Sequence, residues 1–335
     1  MARDYGVLWL QAGSCGGCTM SALAADDVGL TRALGRFGIR LLWHPALSEE
    51  SGADAVAILD DIAAGRVALD CLCVEGSVLF GPEGSGRFQM LSGTGRSMKD
   101  WVAALAAKAR HVVAIGACAA YGGIPAAGDN STDARGLAFS GGDPGGALGR
   151  DFRSVSGLPV INVSGCAPHP GWVVETLAAL AAGEFGPERL DSLGRPRAVA
   201  DHLAHHGCSR NEFYEFKASA ARPSDRGCLM ENLGCRATQA PGDCNIRRWN
   251  GSGSCTDAGF TCINCTSPGF ENPAGPFQET AKIAGIPVGL PVDMPKAWFV
   301  ALAALSKSAT PNRVRTNAHA DHVLVPPARR PPKTP

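Results

Sequence analysis

Two cysteines set among glycines, Cys15 and Cys18, follow the first apolar run of the chain in the stretch GSCGGCT. Thiolates at this spacing take part in dithiol redox exchange, zinc binding or iron–sulfur ligation. Two more cysteines lie far along the chain, Cys118 in GACAAYGG and Cys166 in GCAPHPG. A thioredoxin-like pair leaves these two unexplained, and structural zinc usually takes its cysteines from compact knuckles. Iron–sulfur ligation by all four thiolates is therefore favoured.

The second half of the chain contains a denser group of ligand-type side chains. His205 precedes Cys208 by three residues, a spacing that favours His205 over its neighbour His206 as a ligand. The cysteines that follow are Cys228, Cys235, Cys244, Cys255, Cys262 and Cys265. Together these side chains make two sets of four, the number of ligands that an iron–sulfur cluster takes.

Cys71 and Cys73 remain outside these sets among the 13 cysteines of the chain. They lie in the apolar run LDCLCVEG, where a free cysteine behaves as a small hydrophobic residue, so we predict that they pack in the core.

Composition narrows the function classes. The 335 residues carry a formal net charge of zero, and no basic stripe stands out, which argues against nucleic-acid binding. No apolar run approaches the roughly 18 residues of a membrane span. The start, MARDYGVLWLQ, has the pattern of neither a Sec nor a twin-arginine signal, so we expect a soluble cytoplasmic protein. In that reducing compartment, metal ligation explains the cysteines better than disulfides do.

The elements that must position these ligands are predicted from hydrophobic patterning. Continuous apolar runs alternate with helical patterns in the first half, which is typical of a parallel sheet covered on both faces. The predicted strands are 5–12, 38–45, 69–78, 111–117 and 158–165. We therefore predict an α/β fold with a flavodoxin-like, doubly wound sheet. Ligands of such sheets bind beyond the carboxyl ends of the strands, where Cys15, Cys18, Cys118 and Cys166 would converge.

Three segments are predicted along the chain. Residues 1–185 form the flavodoxin-like domain, and residues 186–310 form an irregular, cysteine-rich domain that ends in a helix over 294–307. The second domain has few apolar runs, so we expect bound metal to stabilise its folded structure. Residues 311–335 form a C-terminal tail that we expect to be partly disordered.

At this point a family resemblance is specific. In order, the motifs WLQAGSCGGCT, VEGS, GACAAYGGIPA, GCAPHP, HHGC, CLMENLGC and CINCTSPGF resemble the small subunit of a [NiFe] hydrogenase. The similarity covers about residues 5 to 310.

The resemblance implies three iron–sulfur clusters, which relay electrons from the nickel–iron site of a separate large subunit. Cys15, Cys18, Cys118 and Cys166 would hold the proximal [4Fe–4S] cluster. His205, Cys208, Cys228 and Cys235 would hold the distal [4Fe–4S] cluster. Cys244, Cys262 and Cys265 match the medial site, where many members have a proline near position 255 and a [3Fe–4S] cluster. Cys255 offers a fourth thiolate, so we expect a medial [4Fe–4S] cluster, with [3Fe–4S] as the alternative.

The stretches LWLQAGSCGGCTMS and MPKAWFVALAALSKSATP look most like the small subunits of cytoplasmic, H₂-sensing regulatory hydrogenases. That resemblance implies a heterodimer with the large subunit, which can pair into a dimer of heterodimers, and a PAS-domain sensor histidine kinase as a further partner. Two alternatives stay open: the small subunit of a cytoplasmic uptake hydrogenase, and a zinc-stapled binding module without redox function.

No motif of this chain suggests a nickel site, so we expect the catalytic centre in the large subunit. Glu75, in VEGS, follows a predicted strand close to the proximal cysteines. A role in hydrogen bonding or proton transfer competes with the role of a carboxylate that caps a helix or loop.

Overall fold

A computed structural model of the chain describes residues 4–25, 29–272, 279–283, 286–287 and 291–327. The chain divides into two compact units. The first consists of Met1–Asp201 with Cys265–Asn272, and the second consists of His202–Asn264 with Pro273–Pro335. The predicted boundary at residue 185 falls inside the first unit, which extends to Asp201.

The first unit is built on a five-stranded sheet. Its strands are β1 (Tyr5–Gln11), β2 (Ile39–Trp43), β3 (Cys71–Glu75), β4 (His111–Ile115) and β5 (Ile161–Val163). They lie in the order β2-β1-β3-β4-β5, and every neighbouring pair is parallel. This is the strand order of flavodoxin-like doubly wound folds, so the predicted fold class is confirmed.

Burial explains why these sequences form central strands. Every residue of β3 and β4 is buried, whereas the edge strand β2 is only partly so. The helices of this unit are α1 (Gly17–Leu23), α2 (Leu30–Gly35), α3 (Gly52–Ala63), α4 (Met98–Ala106), α5 (Gly116–Tyr121), α6 (Pro170–Ala181) and α7 (Arg197–Ala200). Helices α1, α2 and α6 pack together, and α3 packs against α4. Two separate groups of helices are expected when both faces of a sheet are covered.

The strand order reverses between β1 and β3, which are neighbours in the sheet. The chain runs from β1 outward to β2 on one side, and from β3 outward to β4 and β5 on the other. Open α/β sheets bind ligands at such a switch point, at the carboxyl ends of the strands. Cys15 and Cys18 follow β1, and Glu75 is the last residue of β3.

The second unit contains short elements: a 3₁₀ turn at Ala204–Gly207, α8 (Asn211–Glu215), α9 (Met230–Leu233), the strand pair Lys282–Ile283 and Ile286–Pro287, α10 (Lys296–Ser308) and α11 (Asn312–Ala318). Its main core cluster combines alanines with Tyr214, Leu229, Met230, Leu233 and Phe299, and it also contains Cys235. A core with so few large apolar side chains fits the prediction that this segment needs further staples.

The segment predicted as a C-terminal tail begins with ordered structure. Helix α11 buries Val314 and Ala318 against Phe213 of α8. Residues 328–335 lie outside the described residues. In the part of the chain that is described, no helix has the length and apolar character needed to cross a bilayer.

Candidate metal centres

Four thiols meet at the carboxyl edge of the sheet, and we call this group the proximal site: Cys15, Cys18, Cys118 and Cys166. Cys15 lies in the loop after β1, and Cys18 lies in the first turn of α1. Cys118 lies in α5, directly after β4, and Cys166 follows β5. Because parallel strands end at the same edge, three distant loops deliver their thiols to one place.

Cys18 and Cys118 lie close enough to the other thiols of the proximal site for the neighbouring charges to raise their pKa values. Burial raises the pKa of Cys18, and the charges of Glu75 and the other three thiols raise it further. Burial and the neighbouring Cys166 raise the pKa of Cys118 to about 11. Four thiolates cannot share this site without a cationic centre to offset their repulsion, which is the condition that an iron–sulfur cluster meets.

Glycines let the backbone approach these thiols. Gly116 has a φ of +87°, and a Cβ atom at this position would lie 2.5 Å from Cys18 Sγ. Gly123 has a φ of +54°, and its Cβ would lie 2.9 Å from Cys118 Sγ. A side chain at either position would occupy the space beside the sulfur atoms, so these glycines keep the cradle of the proximal site open.

The carboxylate of Glu75 lies next to the proximal site and is buried, with 1% of the residue exposed. It accepts hydrogen bonds from Trp9 Nε1 (3.1 Å), Gln11 Nε2 (3.3 Å), Ser14 Oγ (3.0 Å), the Cys18 backbone N–H (3.1 Å) and Thr19 Oγ1 (2.5 Å). Since one of these donors is an N-terminal backbone N–H of α1, Glu75 caps that helix from a neighbouring strand. The contact to the helix agrees with the capping role weighed in the sequence, and the other four bonds agree with the hydrogen-bonding role. Trp9 and Thr19 are partners that the sequence did not indicate.

A cavity in the second unit, which we call the distal cavity, collects the other predicted ligands. His205, Cys208, Cys228 and Cys235 line it, with Tyr214 and Arg210 among their neighbours. Burial raises the pKa of Cys228 to about 12, although the charge of Lys217 acts in the opposite direction. Here too, thiols and an imidazole line one cavity.

The imidazole of His205 lacks the hydrogen-bond partners that a buried histidine usually has. Both of its ring nitrogens are buried and have no hydrogen-bond partner among the described residues, which is unusual for buried polar atoms. Its Nε2 atom lies 3.5 Å from Asp293 Oδ2, without hydrogen-bond geometry. His206 is exposed on 42% of its side chain and places its Nε2 atom 2.8 Å from the same oxygen of Asp293. An orphaned nitrogen inside the cavity favours His205 over His206 as a metal ligand.

The medial ligands are divided between the two units. Cys244, Cys255 and Cys262 belong to the second unit, and Cys265 opens the segment that belongs to the first. The Cys262 backbone N–H donates to Cys235 Sγ at 3.3 Å. Cys255 is exposed. The medial ligand set therefore stays a prediction.

Cys71 and Cys73 are fully buried in β3, with their sulfur atoms 3.8 Å apart. They lie within the strand rather than beyond its carboxyl end, which agrees with a role in core packing.

The donor chemistry of both places fits iron–sulfur clusters. The proximal site offers four thiols and two glycines that leave room for a bulky group. The distal cavity offers three thiols and an orphaned imidazole nitrogen. A flavodoxin-like sheet with four thiols at its carboxyl edge, joined to a cysteine-rich second unit, defines the class: an iron–sulfur electron-transfer subunit.

Comparison with known families supports this class and narrows it. Residues 15–180 match the family of the 20 kDa subunit of NADH ubiquinone oxidoreductase, and residues 201–278 match the C-terminal region of NiFe/NiFeSe hydrogenase small subunits. The small subunit of F420 non-reducing hydrogenase I from Methanosarcina mazei is 34% identical over 321 residues, which cover 90% of this chain and 82% of that protein. The small subunit of the periplasmic [NiFeSe] hydrogenase from Desulfomicrobium baculatum is 31% identical over 82% of this chain and 87% of that protein.

Solved structures agree. The reduced, active NiFeSe hydrogenase from Desulfomicrobium baculatum aligns with a TM-score of 0.67 at 31% identity, over 80% of this chain and 96% of that chain. The actinobacterial-type NiFe-hydrogenase from Ralstonia eutropha H16 aligns with a TM-score of 0.74 at 28% identity, over 93% of each chain. The chain belongs to the family of [NiFe] hydrogenase small subunits.

Proposed function

We propose that this chain is the electron-transfer subunit of a cytoplasmic, H₂-sensing regulatory [NiFe] hydrogenase, and that it holds three [4Fe–4S] clusters. Membership of the small-subunit family gives the electron-transfer role and the association with a large subunit. The single observation that carries the relay is the gathering of four thiols at the proximal site and of three thiols with His205 in the distal cavity.

Clusters bound at these places supply one-electron redox centres for electrons that leave the large subunit. The residues of this chain do the holding and the tuning. Cys15, Cys18, Cys118 and Cys166 would hold the proximal cluster, while the Glu75 carboxylate accepts a hydrogen bond from the Cys18 backbone N–H and so orients this ligand. Because Gly116 and Gly123 have no side chains, the backbone can lie close to the sulfur atoms of the proximal site. Backbone N–H groups near such sulfur atoms adjust the reduction potential of the centre.

Iron and acid-labile sulfide analysis of the anaerobically purified complex tests the cluster proposal. We expect about twelve cluster iron atoms and as many sulfides per chain, in line with four per [4Fe–4S] cluster, in addition to the iron of the nickel–iron site. Zinc without sulfide would instead support the zinc-stapled module. An EPR signal from an oxidised three-iron centre would contradict the fourth medial thiolate from Cys255.

Two variants test the partition into separate sites. Cys166→Ser is expected to disturb the proximal cluster and to uncouple the large subunit from electron acceptors. His205→Ala is expected to spare the proximal cluster and to impair the distal one. Loss of all clusters in both variants would indicate misfolding and would not support the partition.

The sensory role is supported by the similarity of the first cysteine motif and of the α10 segment to regulatory small subunits. The principal alternative is a catabolic hydrogenase, and the 34% identity to an F420 non-reducing hydrogenase subunit favours it. Deletion of the gene separates the two. Loss of H₂-dependent transcription with growth on H₂ intact supports sensing, and co-purification with a PAS-domain histidine kinase would add to it. Failure to grow on H₂, with transcription unaffected, supports uptake.

A further inference from the structure

The segment that carries Cys265 is anchored to the rest of the first unit through the carbonyl group of Thr266. This oxygen accepts hydrogen bonds from Ser164 Oγ at 3.0 Å and from Arg195 Nη1 at 3.0 Å. Ser164 and Thr266 are both buried, each with 5% of the residue exposed. Ser164 lies two residues before the proximal ligand Cys166, and Thr266 directly follows Cys265. The Thr266 carbonyl therefore joins the segment of a predicted medial ligand to the strand end that carries a proximal ligand.

The guanidinium group of Arg195 is held in one orientation by Asp191. Arg195 Nε and Nη2 lie 2.8 and 2.7 Å from Asp191 Oδ2, and only 12% and 15% of the two side chains are exposed. The other carboxylate oxygen, Oδ1, accepts hydrogen bonds from the backbone N–H groups of Leu193 and Arg195. A largely buried ion pair offsets its desolvation only when its geometry is good and its remaining atoms are hydrogen-bonded, and this pair meets both conditions. The pair therefore directs Nη1 at the Thr266 carbonyl.

The loop that carries Arg195 is itself fixed on strand β5. Asn162, in the middle of this strand, donates through Nδ2 to the Leu193 carbonyl at 2.7 Å, and its backbone N–H donates to the Gly194 carbonyl at 2.7 Å. Strand β5 leads directly to the loop of Cys166. Arg195 and Cys166 are therefore positioned by the same strand.

The peptide group between Thr266 and Ser267 carries this constraint towards Cys265. The group is planar and trans, so an oxygen that is fixed on one edge directs the Ser267 N–H to the opposite edge. This N–H lies two residues after Cys265, and from the same relative position Gly17 donates to Cys15 Sγ at 3.4 Å in the proximal site. Backbone N–H groups at cluster sulfur atoms adjust the reduction potential of the centre. Fixing the Thr266 carbonyl therefore fixes a donor of the kind that tunes an iron–sulfur centre.

We propose that Arg195 is a positioning residue of the electron relay, which orients the peptide after Cys265 and thereby sets the reduction potential of the medial centre. The inference rests on the proposed function, in which Cys265 is a medial ligand. Arg195 acts through the Thr266–Ser267 peptide and is not itself a ligand. Its positive charge and the oriented N–H both favour the reduced, more negative state of the centre.

A redox titration of the anaerobically purified complex with the large subunit, followed by EPR, tests this inference. The medial signal is the one that Cys265→Ser alters. Arg195→Met removes the charge and the donor and leaves the nearby carboxylate unneutralised. We expect the ratio of reduced to oxidised medial centre at a given potential to fall about tenfold, which corresponds to about 59 mV for one electron. Ser164→Ala removes only the second donor, and the ratio should fall about threefold. Arg197→Met is the matched control, since Arg197 pairs with Asp201 and both side chains are exposed, and it should leave the ratio unchanged.

Two further measurements separate positioning from a general loss of structure. Hydrogen exchange of residues 265–272 reports the anchoring without any cluster signal. Loss of a hydrogen bond from a charged donor should speed the exchange of this segment about tenfold in Arg195→Met, with no change in Arg197→Met. Arg195→Lys keeps a charged donor without the planar fork, so it should restore at least half of the shift in medial potential.

The outcomes distinguish this inference from the proposed function. If the unmodified complex contains no iron–sulfur clusters, or if Cys265→Ser alters none of their signals, the proposed function or its medial ligand set fails. If the clusters are present but Arg195→Met and Arg197→Met have equal medial potentials, the inference alone is overturned. It is also overturned if Ser164→Ala leaves the medial potential unchanged while Arg195→Met lowers it, since charge without positioning explains that result. Where Arg195→Met does not fold or loses iron, Ser164→Ala and Arg195→Lys decide by the same criteria, because both keep a cation beside Asp191.

Discussion

The Nε2 atom of His205 lies 3.5 Å from the Oδ2 atom of Asp293, and neither ring nitrogen of His205 has a hydrogen-bond partner among the described residues. A metal-ligating histidine usually gives its second ring N–H to a carboxylate, which fixes both the tautomer and the ring plane. From the separation of Nε2 and Asp293 we predict that Nδ1 binds the metal and that Nε2–H turns towards Asp293. Asp293 is a positioning residue, because it acts on the distal site through the imidazole.

Asp293→Asn tests this relationship. Loss of the carboxylate makes the imidazole a weaker electron donor and removes one negative charge close to the distal site. We expect the reduction potential of the distal cluster to rise by roughly 20–40 mV, with the iron content unchanged. A redox titration followed by EPR measures the shift.

Asp321→Asn is the matched control, since Asp321 contacts an exposed histidine, His322, with both side chains exposed on 71% of their area. This variant should leave the distal potential unchanged. An equal shift in both variants would mean that only the net charge of the chain matters, and that Asp293 has no particular role.

Glu75→Gln tests the buried carboxylate. The amide would place an N–H₂ group where Glu75 accepts from five donors, so at least one donor would lose its acceptor inside the protein. We expect the free energy of unfolding to fall by about 2 kcal/mol. Urea unfolding followed by tryptophan fluorescence provides the measurement. The control Asp61→Asn alters an exposed carboxylate paired with Arg66 and should change the free energy of unfolding by less than about 1 kcal/mol.

The sheet and the proximal ligands could be predicted from the sequence because the signals for both are local. Each predicted strand is a continuous apolar run, and each proximal cysteine comes shortly after one of these runs. The parallel geometry then brings the strand ends together without further information. The partners of Glu75 were harder to predict from the sequence. Trp9, for example, lies in a buried strand, where core packing explains a tryptophan as well as a hydrogen bond to Glu75 does.

Asp293 was not predictable in this way. It lies 88 residues after His205 along the chain, and no hydrophobic period or ligand spacing connects the two. Cys265 belongs to the first unit because the segment Cys265–Asn272 is part of that unit, although the residues before and after it belong to the second. The spacing of the cysteines does not predict this.

Gly116→Ala tests the cradle of the proximal site. The new methyl group would lie 2.5 Å from Cys18 Sγ, and the backbone has a φ of +87°. We expect the proximal cluster to be lost or strongly perturbed, with a drop of up to four iron atoms per chain. Gly93→Ala carries a similar backbone strain, at a φ of +76°, but meets no atom within 4 Å. It should cost on the order of 1 kcal/mol of stability and keep all of its iron. Equal iron loss in both variants would show that strain alone causes the damage.

His111 gives a pH dependence that is independent of the metal sites. Burial, with the nearby charge of Arg110, lowers the pKa of His111 from 6.5 to about 4, and its Nδ1 lies 2.6 Å from Tyr5 Oη in a hydrogen bond. The folded chain therefore keeps this imidazole neutral, whereas the unfolded chain protonates it below about pH 6.5. The stability is fully present above that pH and falls as the pH is lowered toward 4.

His111→Gln should remove this dependence, because glutamine does not titrate and still offers an oxygen to Tyr5. Between pH 7.5 and pH 5.5, we expect the unmodified protein to lose about 1 kcal/mol more of its free energy of unfolding than the variant does. Anaerobic urea titrations at the two pH values give this difference. His319→Gln, at an exposed position, should behave as the unmodified protein. The explanation is wrong if His111→Gln and the unmodified protein lose stability in parallel, since another group must then take up the proton.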